Sequence, residues 1–155
     1  AEFAVVIGKK AVRVSEADAL NYVSGYTCTN DVTDREAQSK DGQWVRSKSY
    51  DTYGPIGPRI VPASEIGDPH NLKIEARLNG KTVQSSNTSN LIFSIPFLIS
   101  YISARITLEP GDVITTGTPH GVGAFSKPPV FMKAGDVIEV EIEKIGILRN
   151  KVVGA

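Results

Sequence analysis

The chain has 155 residues, of which 17 are Lys or Arg and 17 are Asp or Glu, so no net field draws it to nucleic acid or to an anionic membrane. With 41% hydrophobic and 22% charged residues the composition is that of an ordinary globular protein, and the length suits one domain of roughly 150 residues. A single Cys excludes an internal disulfide framework and points to a reducing, cytoplasmic compartment. The apolar stretch 91–106 is shorter than the roughly 20 residues that span a bilayer, and Ser94, Pro96, Ser100 and Ser103 interrupt it. The chain opens on Ala1 with neither an initiator Met nor a signal peptide, so its start reads as trimmed.

Along the chain, 14 Gly and 9 Pro cut the sequence into short runs, which predicts a β-rich domain with many turns. Phe3 to Ile7 reads as a buried strand closed by Gly8. Ser15 and Asp18 stand at capping-box spacing and open a predicted helix whose stripe is Ala17, Leu20 and Val23, with Gly25 as its stop. That helix is expected to pack on a sheet. Tyr26 to Asp31 reads as a strand ending in a carboxylate, and Gly54-Pro55-Ile56-Gly57-Pro58 as a stiff, exposed turn. Leu72, Ile74, Ala76 and Leu78 alternate, turn at Asn79-Gly80 and return through Thr82 to Gln84, which predicts a hairpin.

Ser94 can cap a second helix, with Pro96 in its first turn, running to about Ser103. Two similar units follow, Glu109 to Ile114 and Lys133 to Ile138, each a tight turn feeding a strand. In the second strand Glu139, Glu141 and Glu143 share one face, with Ile138, Val140 and Ile142 on the other. The sum is a single α+β, mostly β, domain over residues 1–155 with two short helices.

Several motifs fail. Gly80-Lys81-Thr82 lacks the upstream Gly of a phosphate loop, since Glu75 holds that place, and Gly121-Val122-Gly123 has Ser126 where a third Gly belongs. Cys28 lies within a strand, where a buried small hydrophobe is the better reading than a nucleophile. His70, after Asp68-Pro69, reads as a turn residue, and His120 as a solvated loop residue, although it follows Thr118-Pro119.

What remains is a polar constellation. Asp31, Arg35 and Gln38 are spaced i, i+4, i+7 beyond a strand end, with Lys48 ten residues after Gln38. Such a cluster fits a functional loop, and it fits a surface Asx turn equally well. Thr116-Gly117-Thr118-Pro119 ends a buried-looking strand and can cradle an anion or simply turn the chain. Glu2, at the edge of an apolar strand, is an odd carboxylate unless it is solvated or bound to a cation.

Taken together these segments match a known pattern. Glu2 with Val5-Val6-Ile7-Gly8-Lys9, Tyr22-Val23 with Gly25-Tyr26, and Asn30-Asp31-Val32-Thr33-Asp34-Arg35 come first. Gln38, Trp44, Lys48-Ser49, Pro55 to Pro58, Leu108 to Ile114 and Thr116 to Pro119 follow in order. In these the chain resembles the C-terminal catalytic domain of the fumarylacetoacetate hydrolase family, nearly end to end. The resemblance implies a mixed β-sandwich roll that holds a divalent cation, usually Mg²⁺ with Mn²⁺ or Ca²⁺ possible, through two Glu and one Asp.

Residue by residue, the family's second metal Glu corresponds to Glu2 and its Asp to Asp31; the first Glu falls just before Ala1 and is absent as written, as is the N-terminal lid with its His–Glu base. The family's Arg, Gln and Lys correspond to Arg35, Gln38 and Lys48, and its carboxylate-binding Thr to Thr118, within the Thr116-Gly117-Thr118 loop.

The implied chemistry is coherent. A hard cation takes oxygen ligands and keeps positions that a 2-oxo acid can fill, where it acts as a Lewis acid on the enolate. Lys48 adds positive charge near that oxyanion. Arg35 braces Asp31 or a neighbouring carboxylate, Gln38 donates to a substrate oxygen or a water, and Thr118 with Gly117 and Thr116 holds a substrate carboxylate. The implied activity is metal-dependent isomerisation or decarboxylation of a 2-hydroxyhepta-2,4-diene-1,7-dioate-type substrate, or C–C hydrolysis of acylpyruvates. The 48–58 segment resembles the dioate isomerases more. The alternatives are oxaloacetate decarboxylase or hydratase activity on the same scaffold, a noncatalytic metal- or ligand-binding module, and a structural interface. A homodimer or larger homo-oligomer is implied.

Overall fold

The computed structural model describes residues 1–154. Its eight strands form two antiparallel sheets of four. The first sheet has the order β3 (Ile56–Pro62), β2 (Val23–Thr29), β1 (Glu2–Ile7), β6 (Val113–Thr115). The second has the order β5 (Lys81–Asn87), β4 (Lys73–Leu78), β7 (Val137–Ile142), β8 (Gly146–Lys151). The mostly β architecture expected from the sequence is therefore what the chain adopts, with every described strand pairing antiparallel.

All six residues of β1 are buried, which explains why its sequence reads as a continuous apolar run after Glu2. Phe3, Val5 and Ile7 enter one core with Tyr26 and Cys28 of β2, Ile74 of β4, Val140 and Ile142 of β7 and Leu148 of β8. Phe3 stacks on Tyr26 with ring centroids 5.0 Å apart. Each fully buried side chain of this size contributes about 1.5–3 kcal/mol.

Four short helices are present, α1 (Arg35–Asp41), α2 (Trp44–Ser47), α3 (Ala63–Ile66) and α4 (Ile95–Ser103). The helix expected near Ser94 is α4, and Ser94 caps it by accepting from the Phe97 N–H. Ile95 and Ile99 of α4 are fully buried. The helix expected from Ser15 does not form. Ser15 Oγ does bond Asp18, but the chain makes only a 3₁₀ turn, Ala19–Tyr22, before β2 begins at Val23. Tyr22, Val23 and Tyr26 are aromatic or β-branched, and pairing with β1 outweighs a weak cap.

The hairpin forms as expected, with Leu78 opposite Lys81 and both Asn79 (φ 51°) and Gly80 (φ 79°) in the left-handed region. The two turn units use one chemistry: Asp112 accepts from the Glu109 N–H at 2.8 Å, and Asp136 accepts from Lys133 at 2.8 Å. The segment expected as an exposed turn at 54–58 instead enters β3, pairing Ile56 with Thr29 and Gly57 with Cys28. Buried Thr hydroxyls hold it: Thr29 Oγ1 donates to the Pro55 carbonyl and Thr27 Oγ1 to that of Gly57, each at 3.1 Å.

Candidate active site

The site forms where β1 and β2 end side by side. Glu2 lies opposite Thr29 in the ladder, and Asp31 follows two residues later, just outside the strand. Register alone thus brings together two carboxylates that are 29 positions apart in sequence. Glu2 is 4% exposed and its Oε2 accepts from the Gly117 N–H at 2.9 Å. Burial pushes its carboxyl above the ordinary carboxylate value, the Gly117 N–H opposes that rise, and the negative charge of Asp31 adds to it. Lys48 lies against Asp31, its Nζ donating to Asp31 Oδ2, with both side chains less than a third exposed. The same ammonium lies 5.7 Å from the centre of the Trp44 ring.

Helices α1 and α2 carry the remaining polar groups. Asp34 caps α1, its Oδ1 accepting from Glu36 at 2.9 Å and from Ala37 at 3.0 Å. One turn of that helix puts Arg35 beside Gln38, and Arg35 Nη1 donates to Gln38 Oε1 at 2.9 Å. The bracing of Asp31 expected of Arg35 falls to Lys48; the Arg35 guanidinium instead lies over the Phe125 ring at 5.6 Å. The i, i+4, i+7 spacing explains this, because Asp31 precedes the helix and so does not share its face.

The Thr116-Gly117-Thr118 loop follows β6. Thr116 Oγ1 donates to the Phe3 carbonyl at 2.8 Å and the Gly117 N–H is taken by Glu2, so Thr118 is the one whose hydroxyl faces Gln84. Gln84 is a residue the sequence reading missed. It is 6% exposed on β5, and its Nε2 donates to Thr118 Oγ1 and to the Pro119 carbonyl, both at 2.9 Å, while its Oε1 accepts from the Ala1 nitrogen at 2.8 Å. Its signal was a polar residue opposite buried Ala76 in the hairpin.

A cleft of about 1490 Å³ lies alongside, with Asp31, Arg35, Gln84 and Thr118 in its wall, whereas Glu2, Gln38 and Lys48 are not among its lining residues. The described residues hold no cluster of three or more His, Cys, Asp or Glu side chains. Glu2 and Asp31 are oxygen donors of the kind a small hard cation takes, with one oxygen of Glu2 held by the Gly117 N–H and one of Asp31 by Lys48.

His120 is exposed, with its carbonyl 3.4 Å from Gln84 Nε2. His70 does more than turn the chain, since its Nε2 accepts from the Ile95 N–H at 3.1 Å at the start of α4. Cys28 is fully buried, and burial pushes its thiol up to about 11, which suits the inert core role expected of it. No described helix is long and apolar enough to cross a membrane.

Buried Glu2 and the half-buried Asp31–Lys48 pair at the ends of paired strands, beside a cleft with both polar and apolar walls, define the class as an enzyme fold. The chain belongs to the fumarylacetoacetate hydrolase family, matching the model described as fumarylacetoacetate (FAA) hydrolase C-terminal over residues 1–153. A mitochondrial oxaloacetate tautomerase of Rattus norvegicus is 50% identical over 153 residues, covering 98% of this chain and 49% of the relative.

Among solved structures, the 5-carboxymethyl-2-hydroxymuconate delta-isomerase of Mycobacterium smegmatis is 44% identical with a TM-score of 0.89, over 98% of this chain and 57% of that one. The fumarylacetoacetate hydrolase of the psychrophile Exiguobacterium antarcticum is 42% identical with a TM-score of 0.96, over 99% and 55%. The chain thus spans about half the length of the curated and solved relatives named here.

Proposed function

We propose that the protein moves a proton between carbon and oxygen in a 2-oxo dicarboxylic acid, as a divalent-metal-dependent isomerase or tautomerase. The observation that carries this reading is the convergence of buried Glu2 with half-buried Asp31 and Lys48 at one end of β1 and β2, beside a loop whose Thr118 hydroxyl is held by Gln84. The names of the relatives agree in chemistry: an oxaloacetate tautomerase and a hydroxymuconate isomerase both relocate a double bond next to a 2-oxo or 2-hydroxy acid.

In this reading Glu2 and Asp31 hold Mg²⁺, for which Mn²⁺ or Ca²⁺ can substitute. The bound cation supplies Lewis-acid stabilisation for negative charge on the keto oxygen. The residues of the chain bind and orient the substrate, and the group that carries the proton is not among them. Lys48 releases Asp31 to the cation and turns its ammonium to the oxygen that gains charge, an interaction worth about 3–4 kcal/mol in comparable sites. Thr118, fixed by Gln84, donates to a substrate carboxylate. Arg35 and Gln38 act as a pair, Arg35 orienting the Gln38 amide toward substrate or water. One C–H bond breaks and one O–H bond forms, or the reverse, and the conjugated system carries the electron pair.

A second reading, hydrolysis of the C–C bond of an acylpyruvate, is favoured by the likeness to the bacterial fumarylacetoacetate hydrolase. The test is spectrophotometric: enol-to-keto conversion of oxaloacetate, isomerisation of a 2-hydroxy-2,4-diene dioate, and cleavage of an acylpyruvate, each with Mg²⁺ and with EDTA. Metal-dependent loss of the enol or diene absorbance supports the first reading. Metal-dependent cleavage with no isomerisation replaces it with the second.

The proposed assembly is a homodimer. It is supported by an aromatic ladder in which exposed Phe93 stacks on half-buried Phe97 at 4.8 Å and Phe97 on exposed Tyr101 at 5.8 Å, flanked by exposed Ile92 and Ile106. Sedimentation at two protein concentrations checks it.

A further inference from the structure

We propose that Phe125 is a positioning residue whose ring holds the Arg35 guanidinium in the cleft wall, where its charge is left for an anionic substrate. The inference rests on the 2-oxo acid reading above. Arg35 is half-buried, lines the cleft and is the first residue of α1. The helix dipole disfavours a cation at that end, so another contact must keep it there. Three carboxylates, Asp31, Asp34 and Glu36, stand close in sequence and in the same wall. Among the described residues Arg35 pairs with none of them. Asp31 is paired with Lys48, Asp34 caps the helix, and Glu36 takes Lys40. The guanidinium has five N–H donors, and one is in use, from Nη1 to Gln38 Oε1 at 2.9 Å.

What holds this uncompensated charge is a ring 90 positions later in the chain. Arg35 Cζ lies 5.6 Å from the centre of the Phe125 ring, within cation–π reach. Phe125 is 79% exposed, so the core makes little use of it. The backbone seats the ring. Gly121 (φ 98°) runs so close to β5 that a Cβ there would lie 2.1 Å from the Val83 carbonyl oxygen. The Val130 N–H donates to the Gly123 carbonyl at 2.9 Å, and the Phe125 N–H to that of Val122 at 2.9 Å. Phe125 thus reaches α1 from a loop braced against the second sheet. Both ends of the contact border the cleft, through Arg35 and through Ala124 and Ser126 beside the ring. A cation–π contact holds the guanidinium by its charge, and the N–H groups not given to Gln38 stay available to a substrate oxygen. Without the ring, the same side chain is free to swing to a neighbouring carboxylate or into water.

The experiment uses the whole protein with Mg²⁺, takes oxalate, a planar dicarboxylate, as the probe and compares Phe125→Leu with Phe125→Tyr. By calorimetry, oxalate affinity is expected to fall roughly two- to fivefold in Phe125→Leu and to persist in Phe125→Tyr, which keeps a ring. Mg²⁺ affinity and melting temperature are expected to hold in both, since an exposed side chain outside the core is changed. In an Arg35→Ala background, Phe125→Leu should cost nothing further, which separates action through Arg35 from mere shaping of the loop. In the unmodified protein without ligand, nuclear Overhauser contacts between Phe125 ring protons and Arg35 side-chain protons test the pairing itself. Four results overturn the proposal: no such contacts, equal oxalate affinity in Phe125→Leu, a loss that Phe125→Tyr shares, or the same loss in the Arg35→Ala background. A Phe125→Leu melting temperature lower by several degrees also overturns it, in favour of a structural role. Absence of oxalate binding by the unmodified protein brings down the 2-oxo acid reading itself, and this inference with it.

Discussion

The two sheets treat charge in opposite ways. In the second sheet Arg77 and Arg149 meet glutamates across the ladder, and Glu75, which faces Glu141, is paired by Lys73 and Arg77 of its own strand. Arg77 Nε lies 3.0 Å from Glu139 and its Nη1 2.6 Å from Glu141, while Arg149 reaches Glu139 at 3.2 Å. Register makes these pairs, since Arg77 and Arg149 both stand directly opposite Glu139. In the first sheet the strand ends place Glu2 and Asp31 together, with Lys48 paired to Asp31 alone. The second sheet pairs its glutamates with arginines, and the first sets two carboxylates at one end, where burial disfavours the charge of Glu2.

The largest expected effect lies in the apolar part of the first sheet. Phe3→Ala removes the ring stacked on Tyr26 and lowers stability by about 3–5 kcal/mol, read by thermal or urea unfolding. A loss under about 1 kcal/mol would show that β1 is not the centre of the core. Next in size is Lys48→Ala, which lowers turnover roughly 10²–10³-fold in the isomerase assay while Mg²⁺ binding persists. Equal loss of both would make Lys48 a support for Asp31 and nothing more.

Glu2→Gln sharpens the contrast by separating stability from function. It removes a buried charge that burial and Asp31 both disfavour, so in EDTA the melting temperature rises, by roughly 2–4 °C for each kcal/mol recovered. Mg²⁺ then stabilises the unmodified protein and leaves the variant unaffected. A variant that melts lower in EDTA contradicts the claim that this carboxylate is held at a cost.

The core itself sets an alkaline limit. Burial pushes the Cys28 thiol up to about 11 and the Tyr26 hydroxyl up to about 12. Both groups keep their protons in the folded state at pH values where the unfolded chain, with ordinary values of about 8.5 and 10, loses them. The folded state then binds more protons, so stability falls as pH rises from about 8.5 toward 11. A melting temperature that is flat over that range would contradict the burial of these two groups. The smallest effect belongs to the second sheet, where Arg77→Ala costs about 1 kcal/mol, less at high salt, with activity unchanged.

These regions also differ in how much of them can be read from the chain. The second sheet is nearly legible, because Leu72 to Leu78 alternates, Asn79-Gly80 specifies a two-residue turn, and Glu139 and Glu141 share a face opposite Val140 and Ile142. The first sheet hides its strand limits. Ser15 and Asp18 suggest a helix by local bonding alone, and only the pairing of Val23 and Tyr26 with β1 overrides it. Residues Gly54 to Pro58 carry turn chemistry, yet Ile56, Gly57 and Pro58 enter an edge strand that Thr27 and Thr29 hold.

At the site, Glu2, Asp31, Lys48 and Thr118 stood out only through the likeness to the family's motifs, and the structure sets Lys48 against Asp31 and Glu2 against the Gly117 N–H of the Thr118 loop. Gln84 did not, because its role depends on a contact between the hairpin and a loop 34 residues later. Arg35 was visible, but its partner is Gln38 on the same helix, a choice that follows from Asp34 starting the helix after Asp31.

The account stands most directly on a calorimetric Mg²⁺ titration of the whole protein beside its Asp31→Ala variant. The unmodified protein should bind Mg²⁺ at a single site, and the variant should lose more than the roughly 10–100-fold that even a change outside the ligand set costs. Equal Mg²⁺ affinity in the two, or no binding by the unmodified protein, would contradict a cation held by Glu2 and Asp31.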